Sequence, residues 1–177
     1  MNRIEIEVKL NTARARLLEK CAAMAEEDLT RGITPSEHDP SSSWSAKDHL
    51  AHLAGIEKNF NRMIRRHLDG VVDPVGLRNN ADGTPRSREQ IMAGVHAMTE
   101  AWVLQHRDMS LSGVVALGER VRSETLALLA DLTDAQLTQT LPGAPWADGT
   151  IGGVLAVNAD HGGRHMQWVD EGLVSRR

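Results

Sequence analysis

Asn-Ala-Asp-His-Gly-Gly-Arg-His-Met-Gln-Trp, residues 158–168, is the stretch on which the reading of the chain turns. Val154, Asn158, His161, His165 and Trp168 follow at steps of four, three, four and three. That is the stripe of an inward seam on a bundle helix. His161 and His165 then stand one turn apart on one face. A polar stripe on such a seam needs partners, because burying unpaired polar groups is costly. Gly152, Gly153, Gly162 and Gly163 share this helix, where each costs about 1 kcal/mol relative to Ala. Close helix approach or room for a ligand beside the histidines would account for them.

The rest of the chain repeats the helical period. Ile6, Leu10, Ala13, Leu17, Cys21 and Met24 predict a helix over 3–30, with Gly32 as its stop. Residues 33–44 carry two prolines and read as a turn-rich loop. Ser45 caps a second helix to about Leu68, whose apolar positions include Leu53, Ile56, Phe60, Met63 and Ile64. A long irregular connection over 70–85 follows. Ser87 opens a segment with Ile91, Val95, Met98 and Trp102 on one face, broken near 108–110. Val114, Leu117, Val121, Thr125 and Leu128 predict a helix over 110–132. A short turn at 134–137 and a loop at 142–149 lead to Thr150, which caps a last helix to about Glu171, with Gly172 past its end. Ser45…Leu50-Ala51-His52 and Thr150…Leu155-Ala156-Val157 echo one another, each after a loop holding a Trp.

No stretch alternates as a strand would. Aromatic residues are 3%, with no Tyr and one Phe, a balance that favours helices over strands. The economical architecture is all-α: one domain, 1–177, built as an up-and-down four-helix bundle with a helical insertion, 70–108, between the second and third main helices. The formal charge of -4 argues against a nucleic-acid partner. Cys21 is the only cysteine, which excludes an intrachain disulfide and a Cys-rich zinc site. The N-terminus, Met-Asn-Arg-Ile-Glu-Ile-Glu, lacks an apolar targeting segment, and no apolar run reaches the roughly 20 residues of a membrane span. A cytoplasmic protein with no membrane partner is expected.

His161 and His165 could both reach one cation; a catalytic zinc site takes three protein ligands and keeps an open position. There is no His-Glu-x-x-His signature. Read on residues alone, two ordinary helix histidines are an equal alternative. The third ligand is open as well. His49 and His52 lie three apart on the second helix, His67 toward its far end, His38 in a loop, and His96 and His106 in the insertion. Trp44, Trp146 and Trp168 read as packing residues at helix ends, and Glu26-Glu27-Asp28 as a solvated face.

Trp44-Ser45-Ala46-Lys47-Asp48-His49-Leu50-Ala51-His52-Leu53 and Asp160-His161-Gly162-Gly163-Arg164-His165 resemble the two motifs of the DinB/YfiT-like superfamily of four-helix-bundle metalloproteins. They are also similar to the N-terminal domain of mycothiol-dependent maleylpyruvate isomerases. The first motif is a Trp, a small hydroxylated residue and, further on, a His-Leu pair; the second is His-x-x-x-His on the last helix. The likeness extends over nearly the whole chain, including 99–132, though only the histidine motifs are specific. It implies His52, the histidine before Leu53, as the third ligand beside His161 and His165. Some mycothiol-dependent members place Glu at one last-helix ligand, where this chain has His. The ending at Arg177 is expected to leave no room for the isomerase's C-terminal domain. Both departures separate the chain from the isomerase activity.

The resemblance implies a divalent transition metal, zinc foremost, with nickel, manganese or iron as alternatives that imidazole also suits. Three neutral ligands leave the ion its full charge, which can lower the pKa of bound water to about 7, polarise a carbonyl or bind a thiolate. The expectation is a metal-dependent hydrolase or thiol S-transferase acting on a small molecule, with a low-molecular-weight thiol as co-substrate. Asn158 and Asp160 are candidates to support the ligands, and Arg164 to steer an anionic substrate. A non-catalytic metal- or small-ligand-binding stress-response protein is the alternative. A third reading is a bundle that acts through protein contacts with its histidines unligated. Family habit also implies a homodimer.

Overall fold

A computed structural model of the chain describes residues 1–36 and 38–175. Glu37, within the 33–44 loop, and the last two residues of the expected 1–177 domain lie outside the described residues. The protein is all-α apart from one minimal hairpin.

α1 (Arg3–Ala22) opens with a capping box between Asn2 and Glu5 and buries Ile6, Leu10, Leu17 and Cys21. The helix expected over 3–30 breaks here. Ala25 is extended, and α2 (Glu26–Thr30) starts afresh with Glu26, Glu27 and Asp28 in its first turn. A helix N-terminus favours negative charge there, so the acidic run marks a new helix start. Within 33–44, where no strand is expected, Thr34–Pro35 (β1) pairs antiparallel with Ser43–Trp44 (β2), Thr34 facing Trp44. Two residues per strand are too few to leave an alternating pattern.

Ser45 and Asp48 form the capping box of α3 (Ala46–Leu68), and Ser87 and Gln90 that of α4 (Arg88–His106). Ser110 caps α5 (Leu111–Asp131), Thr133 the short α6 (Asp134–Leu137), and Thr150 the last helix, α7 (Ile151–Val174). α7 runs through Gly172 instead of stopping there. A Cβ on Gly172 would lie 2.6 Å from the carbonyl oxygen of Ile33, so this glycine serves close approach of the hairpin segment.

Side-chain pairings give the helix directions. Lys9 with Asp160 and Lys20 with Asp170 set α1 parallel to α7. Arg3 on the Leu132 carbonyl and Arg14 on that of Val115 set α1 antiparallel to α5. His49 beside His165 and His52 beside His161 set α3 against α7. Trp102 on the Ala51 carbonyl and Asn59 on Met98 set α4 against α3. Lys47 on the Met109 carbonyl, Glu57 on Arg122 and Asn61 on Thr125 set α3 parallel to α5. The long helices thus alternate in direction along the chain. The insertion helix α4 is the return stroke that lets α3 and α5 run in the same sense inside the bundle of α1, α3, α5 and α7.

Two large apolar clusters and one small one fill the bundle. One large cluster gathers Ile6, Phe60, Ile64, Leu129 and Leu155; the other gathers Leu17, Leu50, Val114, Met166 and Val169; the small one holds Ala54, Leu117 and Val121. Along α3, α5 and α7 the polar residues Glu57, Arg122 and Asn158 fall between the two large ones. No helix among the described residues is long and apolar enough to cross a membrane.

Candidate metal centre

The first two turns of α3 carry His49 and His52 inward. Their place is set by the cap: Asp48 accepts from the backbone N–H of Ser45 at 2.9 Å, and the Ser45 hydroxyl accepts from the Asp48 N–H at 3.1 Å. Opposite them α7 presents His161 and His165. His52, His161 and His165 each bring a ring nitrogen within 4.8 Å of the others, a set that could hold a metal ion. The Nε2 atoms of His161 and His165 stand 2.9 Å apart. Both nitrogens of His52 are buried without a hydrogen-bond partner. A buried imidazole with two idle nitrogens carries a desolvation cost, and a cation at the centre of the cluster would satisfy one of them.

Every ring of the cluster is held neutral. Burial lowers His161 to about 4, with the Arg164 charge adding to it. Burial lowers His49 to about 4. Burial pushes His52 well below its usual value, helped by His161, His49 and His96. His165 is lowered as well, by burial first and then by His52, His161, His49 and Arg164. Neutral imidazole is the form that binds metal.

The two tryptophans beside the cluster do more than close helix ends. Trp44 packs on His49 and His52 at centroid distances of 5.4 and 5.1 Å. Trp168 meets His165 edge-on at 4.8 Å. Trp146, by contrast, packs on Phe60 away from the site. Beside the cluster lies a pocket of about 500 Å³ lined by Ile33, Trp44, His49, His165, Trp168 and Glu171 among others. Its size suits a small molecule.

The supporting candidates are spread apart. Asn158 faces the interior one turn before His161, lining a water-sized cavity of about 20 Å³ with Arg14, Glu57 and Arg122, and its amide nitrogen has no partner. Asp160 points outward to Lys9 at 2.8 Å. Arg164 is exposed. Gly162 meets only Leu53, at 3.8 Å, and a Cβ on Gly163 would meet nothing within 4 Å, so neither is required for close helix packing.

Two further contributors lie outside the three-histidine set. His49 Nδ1 lies 2.8 Å from His165 Nδ1, and His49 Nε2 lies 2.7 Å from the hydroxyl of Thr34. His49 shares the face of His52, three residues on, which is the one visible signal. Thr34 arrives through the hairpin and leaves none.

These features define an all-α bundle in which three neutral imidazoles, two buried and one half-buried, converge on one point from two antiparallel helices. The chain belongs to the DinB superfamily, which matches residues 9–169. A crystal structure of an uncharacterised protein from Escherichia coli UTI89 has the same fold, with a TM-score of 0.64 and 18% sequence identity over 96% of this chain and 94% of that one. Among curated proteins none matches.

Proposed function

We propose that the protein is a metal-dependent enzyme holding a divalent transition metal, zinc foremost, through His52, His161 and His165. The observation that carries this reading is His52: buried, neutral and without a partner on either nitrogen, it faces two further neutral imidazoles. Such a donor set is costly when empty and suited to a dipositive ion. Family membership agrees with it.

When bound, the ion supplies Lewis acidity, which activates water or a thiol and polarises a carbonyl. The chain's own residues do the rest. Trp44 and Trp168 flank the cluster and line the pocket beside it. The neighbouring pocket takes a small-molecule substrate, and the exposed Arg164 draws anions toward His161. The reaction class is hydrolysis or thiol transfer.

The test is metal content by mass spectrometry on protein purified without a His-tag or nickel column. Wild type is expected to hold near one equivalent of a transition metal, lost in both His52→Ala and His161→Ala. No metal after reconstitution with zinc, nickel and manganese would sink the reading. With metal established, the loaded protein is assayed against small electrophiles with and without low-molecular-weight thiols.

A further inference from the structure

We propose that His49 is the positioning residue of this centre: its Nδ1 accepts a hydrogen bond from the Nδ1–H of His165, its own Nε2–H donates to the Thr34 hydroxyl, and His165 is so held with a bare Nε2 facing His52 and His161. The proposal rests on the metal-binding reading above and adds to it a residue outside the three-histidine set.

The geometry leaves two arrangements. A neutral imidazole has one donor and one acceptor nitrogen. The facing Nδ1 atoms of His49 and His165 are 2.8 Å apart, so one proton lies between them. If His49 donates, the His165 proton count puts N–H on Nε2, aimed at His161 Nε2 2.9 Å away and into the cluster. If His165 donates, its Nε2 is bare, His49 carries its proton on Nε2, and the Thr34 hydroxyl 2.7 Å away accepts it. Only the second arrangement lets His161 and His165 offer Nε2 lone pairs together with His52. A ligand histidine that donates its other N–H to a fixed acceptor is held in orientation and made more basic. The acceptor is usually a carboxylate, carbonyl or water; here it is a neutral ring.

The support for His49 is rigid. His49, His165 and Thr34 are 2%, 3% and 8% exposed. Trp44 packs edge-on against the His49 ring. Thr34 is held on β1 by its pairing with Trp44 and by the approach of Ile33 to Gly172.

Zinc affinity measured by chelator competition on the full chain tests this, together with long-range proton–nitrogen correlation of the histidine rings in the zinc-loaded wild type. His49→Phe removes the acceptor and keeps the ring; affinity is expected to fall about 10–100-fold. His49→Asn sets an amide oxygen where Nδ1 stood and is expected to recover most of that loss. Thr34→Val, which strips the far end of the relay, is expected to lose less than His49→Phe. The spectrum is expected to show His165 protonated on Nδ1 and metal-shifted on Nε2, and His49 protonated on Nε2. Equal affinities for wild type and His49→Phe, equal losses for Phe and Asn, or metal-shifted nitrogen on His49 would each overturn the proposal. If His49→Phe does not fold, the wild-type tautomers decide alone. Wild type that binds no metal would overturn the parent reading as well. Wild type that binds metal with His49→Phe unchanged would overturn this proposal only.

Discussion

The indole N–H of Trp44 donates to the carboxylate of Glu100 at 2.9 Å, joining the hairpin to the insertion helix. The same carboxylate accepts from the hydroxyls of Ser36 and Ser42. Glu100 is buried, so its charge is kept inside by these three donors. The long insertion thus acts on the site from behind: α4 holds Glu100, Glu100 holds Trp44, and Trp44 covers His49 and His52.

Glu100→Ala should therefore loosen the wall of the centre without touching a histidine. Removing a charged acceptor leaves buried donors unsatisfied, a loss of about 3 kcal/mol. Urea unfolding should show that loss. Zinc affinity should fall alongside it, while zinc stoichiometry stays that of wild type.

Two glycines of α7 should respond in opposite directions to the same change. A methyl on Gly163 meets nothing within 4 Å, so Gly163→Ala should stabilise by about 0.5–1 kcal/mol through helix propensity. A methyl on Gly172 lies 2.6 Å from a backbone oxygen of Ile33. That contact forces the hairpin to move, and overpacking of this kind costs about 1–3 kcal/mol, enough to outweigh the propensity gain. Thermal midpoints of the two variants should fall on either side of wild type.

The contrast shows what the sequence could reveal. Steps of three and four place His161 and His165 on one face, and the caps Ser45, Ser87 and Thr150 announce three of the helix starts. Those signals are local. The split at Ala22 is subtler, since the apolar period runs on to Met24 and only the acidic cluster marks the restart. Gly172 looks like a helix stop because its true reason, Ile33, is far away in the chain. Thr34 is unreadable for the same cause: nothing in its neighbours says that a loop folds back onto His49. The convergence of His52 with the α7 pair follows from α3 and α7 running antiparallel in register, which resemblance to a family suggests and periodicity alone does not.

Metal should appear in the melting behaviour. A ligand that binds only the folded state stabilises it by about 2.7 kcal/mol at 100 times its dissociation constant. For a domain of this size that amounts to about 5–10 °C in Tm. Zinc added at that excess should raise the Tm of the wild type, a chelator should reverse the rise, and His52→Ala should show neither. A zinc-induced shift that survives in His52→Ala would place the ion elsewhere.

Acid should weaken the metal-free protein before its carboxylates titrate. In the unfolded chain a histidine titrates near 6.5, whereas burial holds His49 and His161 at about 4 in the fold. His52 and His165 are lowered too and act in the same direction. Between pH 6.5 and 4 the unfolded chain takes up protons that the folded chain refuses. Stability is therefore complete above pH 6.5 and declines as the pH falls through that window. Urea midpoints of chelated protein at pH 7.5, 6 and 5 should decrease in that order. Coincident midpoints would mean that these rings are not buried in neutral form.

The buried charges below the site should prove unequal. Arg122 grips Glu57 with Nε at 2.7 Å and a second nitrogen at 3.1 Å, and Thr125 adds a hydroxyl at 2.7 Å. Arg14 lines the same small cavity. Its pKa is lowered by burial and then by Arg122, and Glu57 works the other way. Glu57 therefore answers two guanidinium groups. Removing Arg122 leaves Glu57 with Arg14 as a partial counter-charge. Removing Glu57 leaves two cations facing each other inside the bundle. Breaking a buried pair costs about 3–5 kcal/mol; Glu57→Gln should sit at the high end of that range and Arg122→Met at the low end. The double variant should be less unstable than Glu57→Gln alone, because it removes one of the stranded charges. Urea unfolding of the three proteins measures the order, and Arg122→Met less stable than Glu57→Gln would show that Arg14 does not share the carboxylate.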